Sequence, residues 1–179
     1  SDSAERLIRD SAVVVRAACG LASARAALVL QGVLPLLFRY CTHAGKGALA
    51  AKTRELGAAA LLDIVQDSTG LEATARDPQA LPVLKHLLLS VPRPSAPLLG
   101  AALAALTRLC AKSGGFCEAA AAADVVTLVL SLYQRQDVPD ALLTPSLHAL
   151  VLRLLSTLGR HGVALRGLVH NPTAIDTLA

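Results

Sequence analysis

Three observations predict an all-α fold built from a repeated helical unit. Hydrophobic residues make up 54% of the 179-residue chain but aromatic residues only 2%. The apolar content is mostly Ala and Leu, the strongest helix formers, whereas strands draw on β-branched and aromatic side chains. Apolar residues also recur at i, i+3, i+4 and i+7 through SAVVVRAACGLAS, GAAALLDIVQD, LLGAALAALTRLCAK and LHALVLRLLSTLGRH, which puts one apolar stripe on each of four helices. Finally, four segments resemble one another. With Leu34, Leu81, Val126 and Ile175 taken as one equivalent position, their separations are 47, 45 and 49 residues, a period typical of helical solenoids.

That alignment predicts further columns. Three residues later stand Leu37, Leu84, Val129 and Leu178. Ten earlier stand Ala24, Leu71, Phe116 and Leu165; seventeen earlier, Ala17, Ile64, Leu109 and Leu158; twenty earlier, Val14, Leu61, Leu106 and Leu155. All are apolar in all four copies, so all are expected in the core. One such unit cannot bury its apolar face alone, so neighbours stack and share a continuous core.

Each unit sorts into elements. A long amphipathic helix comes first, and a break follows at Ser68–Gly70, Ser113–Gly115 or His161–Gly162, where Gly is expected to stop the helix. A second helix then runs to the neighbourhood of Cys41, Ser90 or Tyr133. Polar or Pro-bearing connectors, THAGKGALAAKTR, VPRPSAP and RQDVPDALLTP, join the units and leave room for a short additional helix. The boundaries fall near residues 1–42, 43–90, 91–136 and 137–179. The last helix stops part-way through its pattern and no polar capping unit marks either end, so the chain reads as an excerpt of a longer one.

The second-helix sequences carry a family resemblance. QGVLPLLFRYC at Gln31–Cys41 and QALPVLKHLLL at Gln79–Leu89 are similar to the G-x-I-P-x-L-V-x-L-L-like third helix of the armadillo repeat. ADVVTLVLSLY at Ala123–Tyr133 and TAIDTLA at Thr173–Ala179 are similar more loosely, with Thr127 and Asp176 where the first two have Pro35 and Pro82. The related two-helix HEAT repeat is the structural rival. The resemblance implies a right-handed α-solenoid of about four armadillo- or HEAT-like repeats. It also implies a concave groove along the third helices that holds an extended peptide or a partner helix.

Composition narrows the function classes. The cysteines, Cys19, Cys41, Cys110 and Cys117, have no CxxC spacing, and a chain this long and apolar does not need disulfide staples. Four reduced, buried thiols are expected, which fits a cytoplasmic or nuclear protein. The formal net charge is +4, but the basic residues are scattered and few aromatics stand ready to stack on bases, which argues against nucleic acid. The longest uncharged run, Pro94 to Thr107, is shorter than the roughly 20 residues of a membrane span. Asp2, Glu5, Arg6 and Arg9 precede the first apolar run, unlike a signal peptide.

No constellation for chemistry stands out. His161 and His170 have no third ligand or HxxxH spacing, so no metal is expected. Gly45, Lys46 and Gly47 lack the G-x-x-x-x-G-K-[ST] context of a phosphate loop, and Lys46, Lys52 and Arg54 read as charges of one inter-unit linker. Asp63, Asp67, Glu72 and Asp77 cluster around a helix junction, where Glu72 would oppose a helix dipole. Catalytic residues and cofactors are therefore none. The expected function is a protein-interaction scaffold segment; the alternative is a regulatory helical-repeat region of a larger signalling enzyme, a kinase or a ubiquitin ligase.

A residue five after the core column lies about 140° around the helix. That puts Arg39, His86 and Ser131 on one outward row, with Thr127, Arg135 and Asp176 as neighbours. Some acidic character in the bound peptide would suit Arg39 and Arg135. The family's familiar peptide-binding members use repeated Asn and Trp in this groove. Here Asn171 is the only Asn and there is no Trp, which argues against nuclear-localisation-signal binding.

Overall fold

The computed structural model describes residues 2–89, 94–132 and 144–160. Every regular element among them is helical, with no strand. In chain order these are α1 (Asp2–Gly20), α2 (Arg25–Leu30), α3 (Val33–Cys41), α4 (Ala48–Ile64), α5 (Ser68–Arg76), α6 (Ala80–Leu89), α7 (Ala96–Lys112), α8 (Gly114–Ala122), α9 (Val125–Ser131) and α10 (Pro145–Arg160), with one 3₁₀ turn at Ala22–Ala24. The order repeats: a long helix, then two short ones. Val33, Ala80 and Val125, which open the second short helix each time, are 47 and 45 residues apart. The expected second helix is thus two helices. It breaks ahead of each LPLL-like segment, where Gly32 (φ +80°) and Asp124 (φ +56°) take the left-handed conformation. At the equivalent place in the middle copy, Asp77 accepts from the Gln79 amide instead, at 2.9 Å.

The chain forms two compact units, Ser1–Val83 and Leu84–Ala179, with the boundary inside α6. In the first, α4 packs against α1 on one side and α3 on another, while α2 lies against α5. Helices α1 and α4 run side by side in the same direction. Glu5 lies close enough to the Arg54 guanidinium to favour its charge, near the starts of both helices, while Arg16 pairs with Asp63 near their ends. Arg16 and Asp63 are themselves 47 residues apart. In the second unit α7 packs against α10 and α8, and α8 against α9. Lys85 donates to the Ala123 carbonyl at 2.9 Å, fastening α6 to the α8–α9 corner.

Most of the expected core is buried. Leu61, Ile64, Leu71, Leu84, Leu106, Leu109, Phe116, Val126, Val129, Leu155 and Leu158 are all buried, as are Leu34 and Leu37. Four positions differ. Leu81 and Ala24 are only half-buried, and Val14 and Ala17 are exposed. The first copy of the long helix buries Ala12 and Cys19 instead, because α1 turns toward α4 a face rotated from the one its repeat equivalents bury. Leu165, Ile175 and Leu178 lie outside the described residues.

At the expected breaks after α4 and α7, side-chain caps and not glycine stops make the junctions. Asp67 caps α5 by accepting from the Thr69 and Gly70 amides at 2.9 and 3.3 Å. Ser113 ends α7 and caps α8 through the Phe116 amide. Ser95 and Thr144 serve α7 and α10, Ser95 with a proline in the first turn, where the missing N–H costs nothing. Glu72 reaches no helix end; it pairs with Arg76 one turn on. Gly57 lets α3 and α4 approach closely, since a Cβ there would sit 2.8 Å from Tyr40 Cβ and 3.0 Å from the Cys41 amide nitrogen.

All four cysteines are free thiols and buried. Burial pushes the Cys41 thiol up to about 12 and raises the others, Cys110 most among them, with the neighbouring Cys117 adding to the effect. A thiol whose folded pKa lies above its unfolded value contributes stability that is full below the unfolded value, near 9, and is lost as pH rises toward the folded one. Thermal melts are therefore expected to fall from about pH 9 upward. Cys41→Ala should flatten that slope, and an unchanged slope would mean that this thiol ionises as easily folded as unfolded.

Candidate functional site

Arg39 occupies the last turn of α3 and is exposed. It makes no hydrogen bond or ion pair among the described residues. Around it the other charges of the first unit are used. Asp2 pairs with Arg6, Asp10 with Arg9, Glu5 with His43, Glu55 with Lys52, Asp63 with Arg16 and Glu72 with Arg76. Asp67 and Asp77 accept from backbone amides at helix starts. Arg25 donates to the carbonyls of Cys19 and Gly20. Every carboxylate of the unit is thus engaged, and among the described residues Arg39 and Lys46 are its cations without a partner.

The side of α3 that carries Arg39 meets α1 across a pocket of about 310 Å³, lined by Leu7, Ile8, Ser11, Leu36, Arg39, Tyr40 and His43. Two polar contacts hold its walls. Ser11 Oγ and the Tyr40 hydroxyl share a hydrogen bond of 2.6 Å across the α1–α3 gap. His43 Nε2 lies 2.8 Å from Glu5 Oε2, tying the loop after α3 back to α1. Behind that loop Arg54 donates to the His43 and Gly45 carbonyls at 2.8 and 3.1 Å. Arg54 is 7% exposed, and desolvation lowers its pKa while Glu5 opposes the shift. Arg54 and Lys52 therefore belong to α4 and not to a linker, which shortens the connector to residues 42–47.

The remaining row positions are less free. His86 on α6 is half-buried. Thr127 on α9 donates to Asp124 Oδ1 at 2.8 Å, and Ser131 closes the same helix by donating to the Leu128 carbonyl at 2.7 Å. Both hydroxyls are engaged within their own helix. Arg135 and Asp176 lie outside the described residues, as do His161 and His170. Among the described residues no group of three His, Cys, Asp or Glu side chains could hold a metal ion, and no single helix is long and apolar enough to cross a membrane.

Sequence reasoning missed Leu7, Ile8, Ser11 and His43, because the pocket joins helices some thirty residues apart. Tyr40 was the one available signal, since a buried phenol requires a hydrogen-bond partner. No family model matches the chain, and no curated protein or solved structure matches it either.

Proposed function

We propose that this chain is a scaffold segment of an armadillo-like α-solenoid that holds a peptide or helix of a partner protein. The observation that carries the reading is Arg39: a free, exposed cation beside a preformed pocket, in a unit whose carboxylates are all engaged. The 47- and 45-residue recurrence of the two short helices supports the solenoid. A cytoplasmic or nuclear setting suits four reduced thiols.

Catalysis plays no part in the proposed function. The histidine and carboxylate that meet at the pocket, His43 and Glu5, are paired to each other, and Ser11, which lines the same pocket, is hydrogen-bonded to the Tyr40 hydroxyl. Arg39→Glu is the direct test. An exposed charge pair is worth up to about 1 kcal/mol, and reversal adds repulsion of similar size. Capture of partner proteins should fall roughly five- to thirtyfold while the melting temperature stays unchanged. Recovery of the same partners in the same yield by the reversed variant would contradict the proposal.

A further inference from the structure

We infer that the outer face of α1 together with the α1–α3 pocket is a docking surface for an acidic amphipathic helix of a partner protein. This rests on the scaffold reading above and names the partner's chemistry. Leu7, Val14 and Leu21, seven residues apart, are 70%, 68% and 62% exposed. Seven residues are nearly two helical turns, so the three share one side of α1 and the residue just past its end, along about 21 Å. Arg16, which reaches α4, is nine residues from Leu7 and lies about 180° around the helix. The stripe is therefore on the side turned away from α4. Val13 is exposed beside it at 47%. An apolar strip of this length on a helix is the usual mark of a surface that another helix covers.

The strip runs into the pocket, because Leu7 belongs to both. Ile8 and Leu36 supply further apolar lining for one bulky side chain, and Arg39 stands at the same site with an unpartnered guanidinium. A carboxylate one turn from the anchoring side chain would meet it. Charge complementarity thus selects an acidic helix. It also disfavours a second copy of this chain through the same face, since every carboxylate of the first unit already has a partner and none is free for Arg39.

Two synthetic amphipathic peptides of about 18 residues, long enough to cover the strip, test the assignment. Both carry the same leucine stripe; one is flanked by glutamates and the other by lysines. Binding to the whole chain is read by fluorescence anisotropy at low and high salt. The acidic peptide should bind at least about tenfold more tightly than the basic one, and the advantage should shrink with salt. Arg39→Glu should cost about tenfold, as a lost pair plus a new repulsion. Leu7→Asp and Val14→Asp should abolish binding, with melting curves unchanged because both side chains are already exposed. His86→Glu, on another helix, should bind as wild type. Equal binding of the two peptides overturns the inference, as does normal binding by Leu7→Asp. Loss confined to His86→Glu would overturn the α1 face but leave the scaffold reading standing. Self-association in sedimentation velocity that Val14→Asp abolishes would show a second copy to be the occupant and also overturn it.

Discussion

Gly70→Ala is expected to destabilise the protein by several kcal/mol, against the normal sign of the change. In a helix, alanine usually gains about 1 kcal/mol over glycine. Here Gly70 lies in the first turn of α5, folded directly over the end of α4. An added Cβ would collide with the Ile64 carbonyl oxygen and come within 2.8 Å of Ile64 Cγ2. The obstacle is backbone, so no rotamer change relieves it. Either α5 lifts away, weakening the Asp67 cap on the Thr69 and Gly70 amides, or the corner carries strain. Overpacking of this kind typically costs about 1–3 kcal/mol and more where nothing can yield, and loss of the cap adds about 1 kcal/mol. Denaturant melts of Gly70→Ala should therefore move to lower midpoint with unchanged slope. A variant as stable as wild type would mean that the α4–α5 corner can open to admit a methyl group.

Leu106→Ala should cost about 2–5 kcal/mol. Leu106 is 1% exposed and sits midway along α7, among Leu99, Ala102, Leu103, Leu109 and Cys110, all buried on the same helix. Truncation removes transfer free energy and leaves a cavity, and the many alanines of α7 have no longer side chains with which to fill it. Leu81→Ala gives the contrast. Leu81 is half-buried, so its truncation should cost clearly less than that of Leu106, although both occupy apolar columns of the repeat. Thermal or urea melts of the two variants decide the point; equal losses would contradict the burial pattern.

Leu81 shows how far the sequence could be read. Periodicity locates the long helices and the start of the LPLL-like helices, because apolar side chains recur wherever a face meets a core. It does not say which way a helix is rolled. Val14 and Ala17 occupy the columns of Leu61 and Ile64, yet α1 buries Ala12 and Cys19, since burial depends on the neighbour and α1 has α4 on one side only. The split of the second helix was equally hidden: its left-handed corner is a glycine at 32 but an aspartate at 124, so no common residue signals it. Arg54 looked like linker charge because its value lies in two carbonyls, of His43 and Gly45, that only the folded loop presents. The exposure of Arg39 was legible from the repeat register; the pocket beside it was not, because no local pattern records the meeting of α1 and α3.

Whether the surface around Arg39 holds the proposed acidic segment is decided by titrating the isotopically labelled chain with the acidic amphipathic peptide, followed by amide and methyl NMR. Saturable shifts should concentrate at Leu7, Ile8, Ser11, Val14, Leu36, Arg39 and His43, and in Arg39→Glu should need about ten times more peptide to saturate. Shifts that are absent, or that concentrate on α7 and α10 with the Arg39 neighbourhood unmoved, would contradict the proposal.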